Sequence, residues 1–297
     1  MQVIKVDACP CCATQDIDWP LGSNESLVEA FRLLSQCKYD GYMDGWEQQL
    51  SLAMVSCRCC GHVWHHTRPD QEALFGMYAH GKRLKGISVS PRPSARMLST
   101  MRGLYRYCTS ADRVASLLDY GSGGGRWAAA ARQAGFRVTA YEPATSRQGQ
   151  IGDVESVGSL QAVEGRRFDI INLEQVLEHI PDPGSDLRAL KQYCHANTVL
   201  RISVPDVARL GKRLWEGFPF NGRTMHILSP YEHLHGFRQS SLQALLKTVG
   251  LEPCADWRLL LCLPRYALER WAITLGSPFG RTTVLARFRR NDIPSRR

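Results

Sequence analysis

The stretch Leu117-Leu-Asp119-Tyr-Gly121-Ser122-Gly123-Gly-Gly125 holds the residues best placed to do chemistry. It reads as a buried strand breaking into a glycine loop, after which Arg126-Trp-Ala-Ala-Ala-Ala-Arg opens a helix. With no Cβ in the way, such a turn brings main-chain N–H groups close to a ligand. The dinucleotide fingerprint Gly-x-Gly-x-x-Gly would need glycine where Arg126 stands, so this loop departs from it. Glu142, followed by Pro143, lies 21 positions after Gly121 at the end of the strand-like Phe136–Tyr141. An acid about 20 residues past the loop is placed to accept hydrogen bonds from ribose hydroxyls. His179 offers a neutral imidazole that can take a hydroxyl proton near pH 7.

A third motif runs Phe168-Asp-Ile-Ile-Asn172-Leu173-Glu174-Gln-Val-Leu-Glu178-His179-Ile-Pro-Asp-Pro183. The three motifs, in this order and spacing, resemble those of class I S-adenosylmethionine (SAM) methyltransferases over about residues 95–290. The last is similar to the small-molecule branch, whose members often carry a VLEH-type segment after strand four. The resemblance implies a Rossmann-like, seven-stranded α/β sheet that binds SAM across the carboxyl ends of its strands. The SAM contacts it implies are Asp119, Gly121, Ser122, Gly123, Gly125, Glu142 and Pro143, with Asn172, Leu173 and Glu174 near the methionine end and Ser159 and Leu160 near adenine. His179 is the first candidate general base, with a helix-end histidine bonded to backbone as the alternative. A second cluster, His226, Tyr231, Glu232, His233 and His235, is similar to a family segment that lies over the substrate pocket. Within it His233 is the second catalytic candidate, and a packed lid is the alternative. Glu174 and Glu178, four apart, read as one helical face that could hold a divalent cation or simply meet solvent.

Cys9-x2-Cys12 and Cys57-x2-Cys60-Gly61 are two paired-thiolate turns, which together complete a tetrahedral structural zinc site with no open position for substrate. Cys11, Cys59, His62, His65 and His66 stand beside them as alternative ligands. Zinc ribbons of this kind precede catalytic domains in some sugar and glycan methyltransferases and in some ribosomal-RNA methyltransferases.

These groups must be positioned by three regions: a zinc-ribbon-like head over 1–68, a glycine- and proline-broken connector over 69–94, and a methyltransferase domain over 95–297. Alternating patterns predict strands near 114–119, 137–141, 154–157, 168–173 and 198–204, with a sixth over Glu252–Leu260 and a last over Thr282–Arg290. Helices are expected over Asn24–Leu34, from Ser94, after the glycine loop to Gly135, over 186–195 and over Gln239–Val249. The helix between strands two and three is reduced to Ala144–Ile151.

Seven of the eleven cysteines fall in the first 60 residues, which argues for metal or free thiols in a reducing, cytoplasmic setting rather than disulfides. The chain opens without a signal-peptide core, and its longest apolar run, Leu259–Leu263, is too short to span a bilayer. Of the net charge of +9, residues 81–106 carry +7 without an acid and residues 281–297 carry +5. Either these are a solvated linker and tail or they attract an anionic partner: a phosphate-bearing substrate, a membrane surface or RNA. The leading expectation is methyl transfer to a small-molecule or glycan acceptor, such as a cell-envelope sugar or secondary metabolite. The alternatives are an RNA methyltransferase and a non-catalytic SAM-binding scaffold. Asn172-Leu-Glu-Gln in place of an Asn/Asp-Pro-Pro-aromatic motif disfavours adenine N6 methylation.

Overall fold

The computed structural model describes residues 1–21, 25–80, 92–110, 113–144, 152–208, 228–264, 266 and 281–293. Its centre is a seven-stranded sheet. In chain order the strands concerned are β6 (Ser116–Tyr120), β7 (Arg137–Tyr141), β8 (Glu155–Val157), β9 (Phe168–Glu174), β10 (Cys194–Pro205), β12 (Leu251–Pro253) and β13 (Arg281–Phe288). They lie in the order β12-β13-β10-β9-β6-β7-β8, with β13 antiparallel to both of its neighbours. The near-continuous burial of β6, β9 and the second half of β10 follows from cover on both faces of the sheet. After β6 the chain builds outward through β7 and β8, then returns to the other side of β6 for β9 and β10. Strand order therefore reverses between β6 and β9, and a crevice opens at their carboxyl ends.

The helix expected from Ser94 spans Ala95–Cys108, and the Ser94 hydroxyl accepts from the Met97 N–H at its start. The expected sixth strand over Glu252–Leu260 is only three residues long. Asp256 caps a new helix there, Trp257–Cys262, which seats Leu259 and Leu263 against the Ala95–Cys108 helix. The helix expected over 186–195 begins earlier, at Pro183 behind the Asp182 cap, and ends at Ala189 because the chain tightens into a 3-10 turn before β10. Residues 145–151 of the reduced helix, residues 81–91 of the basic run and residues 294–297 of the tail lie outside the described residues. No helix among the described residues is long and apolar enough to cross a membrane.

The amino-terminal region is woven into the rest. β1 (Val3–Lys5) pairs with β5 (Thr67–Pro69), while β2 (Ile17–Leu21), β3 (Met54–Cys57) and β4 (Val63–His65) form an antiparallel ribbon. That ribbon takes its fourth strand, β11 (His235–Gly236), from the far side of the sequence. Between β2 and β3 the helix Glu25–Tyr39 packs Phe31 and Leu34 into a separate core with Trp46, Leu74, Met77, Tyr231 and Leu234. The segment expected as a connector contains the helix Gln71–His80. Its Gly76 is tolerated because the Tyr42 ring fills the place of a side chain; a Cβ there would sit 2.0 Å from Tyr42 Oη.

Two buried polar systems pin the central strands. At their amino ends Asp169 accepts from both Nη atoms of Arg113 (2.7 and 2.8 Å), from the Ser116 N–H (2.7 Å) and from His195 Nε2 (3.1 Å). Burial opposes ionisation, yet the bonds from His195, Arg113 and Ser116 hold this carboxyl well below the usual range. Nearer the carboxyl ends, Asn172 Nδ2 donates to Asp119 Oδ1 (2.7 Å) and Arg201 Nη1 donates to Asn172 Oδ1 (2.8 Å). Arg201 also pairs with Glu174 at 2.7 Å and lies 4.2 Å over the Trp127 ring. Here burial wins: it pushes Asp119 up to about 6 despite the Asn172 amide.

The two carboxylates should therefore respond oppositely to pH. The depressed Asp169 contributes stability that is present above its unfolded value of about 3.9 and is lost as pH falls. Asp169→Asn is expected to cost about 2–4 kcal/mol near neutral pH, with the gap from wild type closing in acid. The raised Asp119 contributes stability that is full below about 3.9 and is lost as pH rises through about 6. Asp119→Asn should flatten the stability profile across that interval, by up to about 3 kcal/mol. Urea denaturation from about pH 3 to pH 8 measures both slopes.

Candidate active site

The glycine loop leaves β6 through Gly121, whose φ of +71° and whose contact with Val176 exclude a side chain; a Cβ would sit 2.8 Å from Val176 Cγ2. The Gly121 and Ser122 N–H groups bond to the Tyr141 carbonyl at 2.9 Å each, which stitches the loop to the end of β7. The next residue, Glu142, accepts from the Gly123 N–H (2.9 Å) and the Ala144 N–H (3.1 Å). Gly125 is the N-cap of the helix Arg126–Ala134. The loop and the acid predicted to share a nucleotide ligand thus meet at one edge of the sheet.

They border a cleft of about 810 Å³. Of the expected site residues, Gly121, Ser122, Gly123, Glu142, Pro143, Glu174 and His179 line it. Asp119, Asn172 and Leu173 do not, because they are buried beneath it and the two polar side chains bond to each other. Gly125 stands back at the helix start, and Ser159 and Leu160 lie off the lining, where Ser159 caps a short 3-10 turn. The opposite wall comes from the amino-terminal region: Ile4, Arg68, Asp70, Gln71, Leu74, Phe75 and Tyr78. No local signal marked these residues, since their place depends on the long-range pairing of β1 with β5.

His179 occupies the turn after β9. Its Nδ1 contacts Tyr78 Oη at 2.9 Å and the Glu232 carbonyl, to which the Tyr78 hydroxyl also donates at 2.9 Å. The His233 ring stands edge-on to His179, with centroids 4.6 Å apart, so the two catalytic candidates are neighbours although only His179 faces the cleft. Glu174 and Glu178 do not share a helical face: Glu174 ends β9 and pairs with Arg201, whereas Glu178 is buried within the turn. The ligand atoms that do converge within 4.8 Å of one another belong to Glu178, His179 and His233. His235 is buried on β11, its Nε2 3.0 Å from the Ile180 carbonyl and its Nδ1 3.1 Å from His62 Nε2. Tyr231 is buried in the amino-terminal core with Phe31 and Trp46, the Glu232 carboxylate pairs with Lys38 at 3.2 Å, and His226 lies outside the described residues.

In the head, Cys9, Cys12, Cys57 and Cys60 bring their sulfurs within 4.8 Å of one another. Cys9–Cys60 and Cys12–Cys57 are 3.6 and 3.5 Å apart. A tetrahedron of thiolates about 2.3 Å from a metal has edges of about 3.8 Å, so the spacing fits a four-thiolate site. Contact with Cys9 and burial push the Cys60 thiol up. Cys11, Cys59, His62, His65 and His66 fall outside this set; Cys59 is exposed and His66 bonds to Asp7 at 2.9 Å.

A family model described as a methyltransferase domain matches residues 95–255, more than half of the 297-residue chain. No curated protein matches it. Among solved structures the chain is similar to the 1,6-didemethyltoxoflavin-N1-methyltransferase of Burkholderia thailandensis, at 22% identity over 65% of this chain and 78% of that one, with a TM-score of 0.40. It is also similar to the plantazolicin methyltransferase BpumL in complex with SAH, at 12% identity over 89% of this chain and all of that one, with a TM-score of 0.48. The loop, the acid at the end of β7 and the matched domain agree, and the chain belongs to the family of SAM-dependent methyltransferase domains.

Proposed function

We propose that this methyltransferase carries a methyl group from SAM to a small-molecule or glycan acceptor held between the glycine loop and the amino-terminal wall. The observation that carries the reading is one cleft of about 810 Å³ bordered by the loop, Glu142 and His179 together. That volume has room for SAM and a compact second molecule. In this reading Gly121, Ser122 and Gly123 lie against the cofactor, Glu142 and Pro143 border its ribose, and Glu174 borders its methionine end. Asp119, Asn172, Leu173 and Gly125 act from beneath by fixing the strand ends, and Ser159 and Leu160 edge the adenine side. SAM supplies an electrophilic methyl group, so the protein has to align the acceptor and take its proton. In this reading His179 takes the second task; its ring is held through Nδ1 and His233 lies beside it.

The same reading keeps 95–297 as the catalytic unit and 1–68 as its head, with 69–94 supplying the wall helix. A structural zinc on Cys9, Cys12, Cys57 and Cys60 would lock the two knuckles, and four cysteine thiolates fit a reducing, cytoplasmic compartment. A screen with methyl-labelled SAM against nucleotide sugars, lipid-linked sugars, small aromatic acceptors and total RNA tests the assignment. Label transferred to RNA alone would overturn it.

Two outcomes follow. Glu142→Ala should weaken SAM binding by about 1–3 kcal/mol in calorimetry, since it removes the acid beside the ribose position and releases the Gly123 N–H. Protein purified without added metal should hold zinc at about one equivalent by elemental analysis, and Cys57→Ser/Cys60→Ser should lose it.

A further inference from the structure

Arg68 is the only arginine or lysine among the described residues that line the cleft. It stands on β5 opposite Ile4 of β1, on the wall that faces the glycine loop. Its hydrogen bonding is incomplete. Nη1 reaches the Pro69 carbonyl only at 3.4 Å, and Nε is buried without a partner. A guanidinium has five N–H donors, and leaving them unmet in a partly desolvated place is costly.

The acids around it are engaged elsewhere. Asp70 accepts from the Gln2 and Ala73 N–H groups at the start of the Gln71–His80 helix. Asp182 caps the Pro183–Ala189 helix through the Ser185 N–H at 2.9 Å, and Asp186 accepts from Tyr120 Oη at 2.7 Å. Burial pulls the Arg68 pKa below its ordinary value, with the Asp182 charge working the other way. Beside Arg68 the wall is apolar: Ile4, Leu74 and Phe75, the last half exposed at 50%.

Resting on the methyl-transfer reading above, we infer that Arg68 is the acceptor anchor: it takes an oxyanion of the acceptor while Phe75 lies against an apolar part of the same molecule. The acceptor class is then an apolar-bodied carboxylate or phosphate ester, since the planar fork of arginine matches either group through paired N–H bonds. Arg68 and Phe75 lie outside the matched residues 95–255, so this selectivity belongs to the added amino-terminal wall rather than to the shared domain.

The test titrates benzoate, phenyl phosphate and neutral benzyl alcohol into the full chain saturated with SAH, following binding by ligand-observed NMR. Both anions are expected to bind at least about tenfold more tightly than benzyl alcohol, and Arg68→Gln should erase that advantage. The tighter anion identifies the oxyanion, and Phe75→Ala should weaken both anions alike. Unchanged zinc content and SAH affinity in the variants show that they are folded. If SAH binds but the anions ignore Arg68→Gln, or benzyl alcohol binds as well as they do, the anchor is overturned and the methyl-transfer reading stands. If SAH itself does not bind the wild-type chain, the reading beneath the anchor falls with it.

Discussion

The parallel register of β6 against β9 is the constraint on which the rest of the structure depends. It sets Asp119 beside Asn172 at the point where strand order reverses and the crevice opens. An apolar pair would fill the same space but would not define the register, because aliphatic side chains tolerate a slip. The chain Asp119–Asn172–Arg201–Glu174 tolerates none, since each step is a hydrogen bond or ion pair of 2.7–2.8 Å between different strands or strand ends. Its cost is visible in the raised Asp119 carboxyl. What it secures is the height at which Gly121 and Glu174 leave the sheet, and hence the distance between the loop and the opposite rim.

The second wall is held by the same logic applied to backbone. β11 adds its two residues to the β4 edge, and the turn before it accepts no slack: the Glu178 carbonyl takes both the Leu234 and the His235 N–H (2.7 and 3.2 Å). His62 and His235 then run from the Cys57–Cys60 knuckle to the Ile180 carbonyl, next to His179. The paired cysteines thereby stand at one end of a hydrogen-bonded run that crosses the ribbon to its β11 edge and ends beside the turn that carries His179. With His179 gripped by Tyr78 and the Glu232 carbonyl, the candidate base is set jointly by the wall helix and the returning segment.

Much of this was legible in the residue pattern, and the failures have physical reasons. The strands β6, β7 and β9 were readable because central parallel strands are rich in apolar residues and these end in loop chemistry that local sequence records. The convergence of Cys9, Cys12, Cys57 and Cys60 was readable because the C-x2-C turn is local and its partner is of the same type. The motif alone makes Asn172 and Leu173 ligand contacts just past the strand, yet β9 continues through Glu174 and keeps both buried. Glu252–Leu260 read as a strand because its apolar residues also suit a helix, and the Asp256 cap decided for the helix. Arg68, Phe75 and Tyr78 left no trace at all. Their place on the cleft follows from pairing Val3–Lys5 with Thr67–Pro69, a contact of long sequence separation that no local window contains.

The division into a head and a catalytic domain therefore describes sequence motifs better than it describes the working unit. Trp64 from the head and Phe237 from the returning segment are both fully buried in the core that also holds Leu118 and Ile171 of the central sheet. Removing the head would uncover that core, open the β11 edge and take away one side of the cleft at once. A purely structural appendage would need only the first of these contacts. The third has a different meaning: the matched domain supplies the glycine loop, while the chain before it supplies the opposite wall of the cleft. The Gly76–Tyr42 contact and the core of Phe31, Trp46, Met77 and Tyr231 back the wall helix, so this side of the cleft rests on a core of its own, separate from those of the central sheet.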